Sequence, residues 1–216
     1  MTNYFIFKIN DLVNRWTISL GKQAKVLTKA QIDTISNHLL TRRHGLRDQT
    51  IFLLSTKAGL RATEIAGLKW SMVTNADGDI GDAIHITDIA SKGKSGRIVP
   101  LNRQLRKNLV SMLEQAKSQN CFDQNSAFVI STERSPKTSA QSIVNMFQIW
   151  YRDLGMYGCS SHSGRRTFIT NAARKISTVG GSLRDVQALA GHASLAVTQR
   201  YIESDSEAQR KIVQLI

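Results

Sequence analysis

The stretch from residue 160 to residue 201 constrains the fold most, because signals that start and stop helices follow one another closely within it. Ser161 is a favourable N-cap, which predicts a helix over residues 162–175. A second helix ends at Gly191, since glycine readily adopts the left-handed conformation that closes a helix. The spacing then predicts a third helix over residues 195–202. This part of the chain is therefore expected to be helical.

Four residues of this stretch are candidates for a functional site. His162 and Arg165 are three positions apart and share a face of the predicted helix, where an imidazole beside a guanidinium can seat an anion such as phosphate. His192 directly follows the glycine that ends the second helix, and Tyr201 lies on the third. Each residue also has an ordinary explanation as a helix cap, a solvated charge or a packed aromatic ring.

Helical spacing dominates the rest of the chain, with one region of strands. Residues 83–87 alternate apolar and polar side chains, and residues 97–101 pair back after a polar, basic turn, which predicts a small antiparallel sheet. We therefore expect a mixed α+β fold that is mostly α. The further predicted helices cover residues 29–42, 46–58, 60–70, 102–119 and 138–154, and residues 206–215 are expected to form a terminal helix or a tail.

The charge balance indicates the kind of partner. Lys and Arg total 29 against 16 Asp and Glu, which gives a net charge of +13. Such a field attracts polyanions, and nucleic acid is the commonest polyanion in a cell. A ribosome-associated protein, or a basic surface without a partner, is the alternative that charge alone leaves open.

Other features of the sequence exclude several classes. No apolar run reaches the roughly 18 residues that a membrane span needs, and the first residues lack the pattern of a signal peptide. Cys121 and Cys159 are far apart and form no CxxC motif, so neither a disulfide framework nor a zinc site is indicated. We expect a reduced, cytoplasmic setting without a membrane partner.

A fifth candidate precedes the strands. Arg61 closely follows Gly59, which ends a predicted helix, and Glu64 comes three residues later. An arginine near a helix N-terminus suits anion binding, but an exposed Arg–Glu pair on a helix surface explains the same pattern.

These motifs occur in an order that resembles a known family. The sequence contains Gly-Leu-Arg-Ala-Thr-Glu at Arg61, Lys92 before a glycine, His-Ser-Gly-Arg at His162, Gly-His at His192, and Thr-Gln-Arg-Tyr ending at Tyr201. Together they resemble the catalytic domain of the tyrosine recombinase (phage integrase) family. The resemblance implies an N-terminal arm over 1–26, a catalytic domain over 27–202, and a C-terminal tail over 203–216 that packs on a neighbouring protomer.

The resemblance also implies roles for individual residues. Tyr201 would attack DNA and form a 3′-phosphotyrosyl intermediate, while Arg61 and Arg165 neutralise the charge that develops on the phosphate. Lys92 would protonate the departing 5′-oxygen, with Lys94 as a weaker second choice. The remaining implied roles are a phosphate hydrogen bond from His192, proton transfer through His162, orientation of Arg61 or His162 by Glu64, and DNA contacts from Lys94, Arg97, Arg166 and Arg200.

The implied partner is double-stranded DNA with a specific recombination site, bound by a homotetramer with possible accessory DNA-bending proteins; neither a cofactor nor a metal is implied. Three other interpretations remain open. They are a type IB topoisomerase, a non-catalytic accessory DNA-binding protein with a vestigial site, and an inactive fragment that needs a further N-terminal half.

The sequence departs from the family pattern in two ways. Gly164 and Arg166 stand where the family often has an apolar residue and a histidine, and a helical glycine costs about 1 kcal/mol relative to alanine unless it admits a close neighbour. The resemblance also begins near Leu27, which leaves too little chain for the usual core-binding domain. A catalytic domain of this compact form should make fewer phosphate contacts and show a shallower salt dependence of DNA binding.

Overall fold

The computed structural model describes residues 24–87, 96–118, 122–133, 135–202 and 213–214. Within this part of the chain, helices predominate and one antiparallel sheet of two strands is present, which confirms the predicted fold class. None of these helices is long and apolar enough to cross a membrane.

The described elements follow one another in the predicted order; the predicted arm up to residue 23 and the terminal helix or tail, apart from residues 213–214, lie outside the described residues. Two short 3-10 helices also occur, Trp70–Met72 after the third helix and Ile176–Val179 after the sixth. The elements are α1 (Lys29–Leu40), α2 (Gly45–Ala58), α3 (Ala62–Gly67), β1 (Ala83–Ile86), β2 (Arg97–Pro100), α4 (Arg103–Lys117), α5 (Ala140–Asp153), α6 (Ser163–Lys175), α7 (Leu183–Ala190) and α8 (Leu195–Gln199).

Strands β1 and β2 pair as the alternation predicts. Their register places Ile84 opposite Val99, and both side chains are buried. Ile98, the chain neighbour of Val99 in β2, lies on the opposite face of the sheet and is 60% exposed. The connection between the strands, with Lys92 and Lys94, lies outside the described residues.

The hydrophobic core has two parts. The larger part packs α1 to α5 and the sheet around Phe52, Trp70 and Phe147, with further aromatic edge contacts inside it. The smaller part lies between α6 and α7 and centres on Ile169 and Val186, which are fully buried. The ring of Tyr201 packs against this smaller part, and it is therefore held apart from the main core.

Helix α6 approaches α2 closely at Gly164. A Cβ atom at this position would collide with the side-chain oxygen of Ser55 and lie 2.9 Å from its Cβ. The glycine thus admits a close neighbour, which accounts for its departure from the family pattern. The same helix is tied to the start of the described chain, because the Leu27 backbone nitrogen donates to Thr167 Oγ1 at 2.8 Å.

Two local predictions about the C-terminal helices are wrong. The N-cap of α6 is His162, not Ser161, because Ser160 and Ser163 close the preceding turn: Ser163 N donates to Ser160 O at 2.8 Å and Ser160 N to Ser163 Oγ at 3.0 Å. Helix α8 ends at Gln199, so Tyr201 lies in the turn after it.

That turn has a tertiary cause. The Tyr201 nitrogen bonds to Thr198 O at 3.0 Å in a tighter i to i+3 pattern, while the Tyr201 carbonyl accepts a hydrogen bond from Thr170 Oγ1 at 3.1 Å. Thr170 belongs to α6, so the helix that holds Arg165 also holds the backbone of the tyrosine.

We predict that Gly164→Ala destabilises the protein, although Gly→Ala inside a helix ordinarily stabilises it by about 1 kcal/mol. Crowding against Ser55 should lower the free energy of unfolding by about 1–3 kcal/mol, as overpacking usually does. Chemical denaturation measures this change. The Ser55→Ala background should recover part of it, because Ser55 Oγ makes no hydrogen bond within the described residues. An unchanged or raised stability of Gly164→Ala would contradict the packing.

Candidate active site

Arg165 joins the ends of two helices. Its Nη1 donates to Gly59 O at 2.5 Å and its Nη2 to Ala190 O at 2.6 Å, and only 4% of the residue is exposed. These carbonyls lie at the C-termini of α2 and α7, where backbone oxygens lack helical donors and carry the negative end of the helix dipole. The Arg165 guanidinium donates a hydrogen bond to the carbonyl at each of these helix ends, which explains why it can be buried here.

Glu64 gathers two further arginines. Its Oε1 accepts from Arg61 Nη1 and from Arg97 Nη1, each at 2.9 Å. Its Oε2 accepts from the Arg61 backbone nitrogen at 2.8 Å and from Arg97 Nη2 at 2.9 Å. The carboxylate is fully buried, so both oxygens are satisfied by charged or backbone donors. The expected orientation of Arg61 by Glu64 matches this geometry; the hydrogen bonds of Glu64 go to Arg61 and Arg97 rather than to His162.

Arg97, for which the resemblance implies a DNA contact, has a buried side chain, and its guanidinium bonds within the protein. Only 5% of its side chain is exposed, and its guanidinium bonds to Glu64 on one edge. Its Nε donates to Leu189 O at 2.9 Å, next to the carbonyl that binds Arg165. The physical reason is strand alternation: Arg97 shares the inward face of β2 with Val99, while Ile98 points out.

The electrostatics of this cluster favour an anion. Burial alone raises the pKa of Glu64, but hydrogen bonds and charge from Arg97 and then Arg61 outweigh it and lower the pKa to about 2. Burial and the neighbouring charge of Arg61 lower the pKa of Arg165 to about 10, which still leaves it charged at neutral pH. Three guanidiniums against one carboxylate leave two positive charges, and the single negative charge of a phosphodiester would compensate one of them.

His192 is buried beside the tyrosine. Its Nδ1 lies 3.0 Å from Thr198 Oγ1, and its ring stacks on Tyr201 with centroids 5.2 Å apart and planes 23° apart. Burial and the charges of Arg165, Arg61 and Arg97 lower the pKa of His192 to about 4. The imidazole is therefore neutral at pH 7 and retains one N–H donor.

Tyr201 opens onto a cavity of about 280 Å³ with a strongly cationic wall. The guanidinium carbon of Arg166 lies 5.9 Å from the centre of the tyrosine ring. The residues that line the cavity are Ala24, His162, Arg165, Arg166, Val197, Arg200 and Tyr201. The structure thus brings together His162, Arg165 and Tyr201, with His192 stacked behind the ring.

The remaining predicted residues divide into two groups. Arg61 joins the same cluster through its hydrogen bonds to Glu64, and 33% of its side chain is exposed. Lys92 and Lys94 lie outside the described residues. Two larger cavities, of about 570 and 920 Å³, contain none of the predicted catalytic residues, so chemistry rather than volume identifies the site. Within the described ranges, no three His, Cys, Asp or Glu side chains could together hold a metal ion.

Sequence reasoning missed two supporting residues. Thr198 supports His192, and its only signal was its place three residues before Tyr201. Arg97 was assigned to DNA, although the alternation along β2 already placed it on the same face as the buried Val99. Periodicity was the available signal for Arg97, because charge alone suggested the surface.

We predict that Glu64 makes stability depend on pH in the acid range. A carboxylate whose pKa falls from 4.5 to about 2 on folding contributes stability above pH 4.5, and this contribution is lost as pH falls towards 2. The shift corresponds to about 3 kcal/mol. The free energy of unfolding of the native chain should therefore fall more steeply over this range than that of Glu64→Gln. Parallel pH profiles of the two proteins would rule out an ionised, arginine-bound Glu64.

Comparison with known proteins agrees with the site. Residues 25–208 match the phage integrase family. The tyrosine recombinase XerC of Shewanella sp. (strain ANA-3) is 31% identical over 200 residues, which cover 90% of this chain and 62% of the relative. This chain thus spans less than two thirds of that relative's length.

Solved structures share the fold. XerA recombinase superposes with a TM-score of 0.69 at 23% identity, over 88% of this chain and 64% of the other. The XerH site-specific recombinase bound to difH substrate superposes with a TM-score of 0.67 at 18% identity, over 92% of this chain and 56% of the other. With the family match extending over most of its length, the chain belongs to the phage integrase family.

Proposed function

We propose that the chain is the catalytic domain of a site-specific DNA recombinase, which cleaves and rejoins DNA strands through Tyr201. One observation supports this most directly: the hydroxyl-bearing ring of Tyr201 lines the same small cationic cavity as His162 and Arg165. A nucleophile beside fixed guanidiniums is the arrangement that phosphoryl transfer requires. The relatives named tyrosine recombinases, and the structure of the XerH site-specific recombinase bound to difH substrate, agree with this activity.

In the proposed reaction, the Tyr201 oxygen attacks phosphorus in line. The new bond links the tyrosine to the 3′-phosphate, and the bond to the 5′-oxygen breaks. Negative charge that develops on the non-bridging oxygens is stabilised by Arg61 and Arg165, whose planar guanidiniums can donate two hydrogen bonds side by side. Because the phosphotyrosyl bond conserves the energy of the phosphodiester, the reverse reaction with another 5′-hydroxyl rejoins the strand.

Two side chains transfer protons in this mechanism, and a third donates a hydrogen bond. His162, exposed at the start of α6, accepts the proton of the Tyr201 hydroxyl. Lys92 supplies a proton to the departing 5′-oxygen. His192 is neutral, so if the Thr198 hydroxyl donates to Nδ1, the hydrogen on Nε2 can bond to a phosphate oxygen.

The proposed partner is double-stranded DNA that contains a recombination site. Exchange between two duplexes breaks four strands, and each copy of the chain offers a single Tyr201, so four copies are required on the DNA. The exposed Arg200 and the cavity residue Arg166 are proposed to bind phosphates beside the cleaved one, together with Lys94. We place this activity in the cytoplasm, with accessory DNA-bending proteins where the site requires them.

We predict that the native chain forms a covalent adduct with a nicked suicide duplex and that Tyr201→Phe forms none. The duplex would contain a candidate site from DNA flanking the coding sequence, and the adduct would be detected as a slower band on a denaturing gel. Tyr157→Phe is the matched control, because Tyr157 is 78% exposed and lies in the loop before α6. It should form the adduct normally.

The other outcomes each favour a different interpretation. An adduct that persists in Tyr201→Phe would exclude this tyrosine as the nucleophile. A duplex that is bound without any adduct would favour an accessory DNA-binding protein. Sustained relaxation of supercoiled DNA that lacks any particular site would favour a topoisomerase.

We predict that Lys92→Ala slows cleavage of ordinary DNA by 10²–10⁴-fold, roughly the usual contribution of a general acid. A duplex with sulfur in place of the bridging 5′-oxygen should restore the rate, because a thiolate leaves without a proton. Lys94→Ala is the matched control and should change binding more than cleavage. If sulfur rescues Lys94→Ala instead, the general acid is Lys94.

A further inference from the structure

We propose that Arg97 is a positioning residue for strand cleavage, acting on Arg61 through the Glu64 carboxylate and on His192 through the end of helix α7. This inference rests on the proposed recombinase function but concerns a residue that does not itself reach the DNA. Its basis is a set of contacts that link β2 to two otherwise separate parts of the site.

The first link is the paired contact with Glu64. Arg97 Nη1 and Nη2 each donate to one carboxylate oxygen at 2.9 Å, and this fork fixes the plane of the carboxylate. Arg61 then bonds to the same two oxygens, with Nη1 on one and its backbone nitrogen on the other. The direction of the Arg61 guanidinium therefore depends on a carboxylate that Arg97 holds in place.

The second link is the end of α7. Arg97 Nε donates to Leu189 O at 2.9 Å, and the next carbonyl, Ala190 O, receives Arg165 Nη2. The following residue, Gly191, has φ 61°, and a Cβ there would lie 2.9 Å from Arg97 Cδ. The arginine side chain thus packs under the turn that leads directly to His192.

Lysine cannot reproduce these contacts. A single ammonium lacks the planar fork that binds both carboxylate oxygens and the separate Nε donor that reaches Leu189. A lysine at this position would keep the positive charge while losing the geometry. Arg97→Lys and Arg97→Met therefore separate the contribution of charge from that of position.

The test compares cleavage with binding. On the suicide duplex, both Arg97 variants should cleave on the order of 100-fold more slowly, as expected when a reacting group is displaced by about 1 Å. Their affinity for the uncleaved duplex should stay within about threefold of the native value, because the guanidinium is buried. Arg43→Gln, which removes an arginine whose side chain is 77% exposed, is the matched control and should cleave normally.

A double-mutant cycle identifies the route. If Arg97 acts on Arg61 through Glu64, adding Glu64→Gln to Arg97→Met should slow cleavage little further than the slower single variant. Fully additive losses would contradict this route. A cleavage rate within about threefold of native for Arg97→Met, or an affinity loss as large as the rate loss, would overturn the proposal.

A measurement without DNA keeps this inference distinct from the proposed function. Nuclear magnetic resonance of the His192 ring should show shifted signals in Arg97→Met and an imidazole pKa that moves up from about 4, because a nearby positive charge is lost. Arg43→Gln should leave both unchanged. Unaltered His192 signals in Arg97→Met would overturn the link to α7 even if the native chain cleaves DNA, and altered signals would support it even if the native chain does not.

Discussion

The structure depends most on the buried guanidinium of Arg165. It bonds to Gly59 O, beside the main hydrophobic core, and to Ala190 O, which belongs to the smaller core of α6 and α7. Carbonyls at the two helix ends would otherwise be buried without donors, at roughly 1–3 kcal/mol each. One side chain thus satisfies both helices and joins the two cores. Arg165 also lines the cavity of Tyr201, so the residue that joins the two cores borders the proposed phosphate site.

In this arrangement the positive charges of the site outnumber its negative charges. Glu64 compensates one of the three positive charges of Arg61, Arg97 and Arg165. Burial of a guanidinium whose charge is not compensated is unfavourable, as the lowered pKa of Arg165 indicates. A phosphate that enters the cavity supplies the missing negative charge and hydrogen-bond acceptors. The gain is larger still for a transition state with more charge on its oxygens. The net charge of the cluster therefore matches the proposed reaction better than it matches a purely structural ion network.

The sequence predicted the helix ends that depend on neighbouring residues, and it did not predict those that depend on residues distant in the chain. The predicted start of α1 at residue 29, where Thr28 and Gln31 form a capping box, and the end of α7 at Gly191 are confirmed, because each depends on neighbours within a few residues. The N-cap at His162 and the early end of α8 were missed, since Ser163 and Thr170 redirect the backbone there. The partners of Arg97 gave no local signal, because Glu64 and Leu189 are remote from it in the chain. Motif spacing correctly grouped His162, Arg165 and Tyr201, whereas the carbonyls that hold Arg165 bear no side-chain signal at all.

Separate parts of the protein hold the nucleophile and the cations. Tyr201 packs on the smaller core, its carbonyl bonds to Thr170 and its ring stacks on His192, which follows α7. Arg61 and Glu64 instead begin α3 on the main core. Several contacts connect the two sides. They include the Arg165 bridge, the Arg97 bond to Leu189, the Leu27 bond to Thr167, and the packing of α6 on α2, where Gly164 fits closely against Ser55. Small cores are less resistant to local opening than large ones. The packing of α6 against α2 and these polar contacts together therefore set the position of Tyr201 relative to the phosphate site.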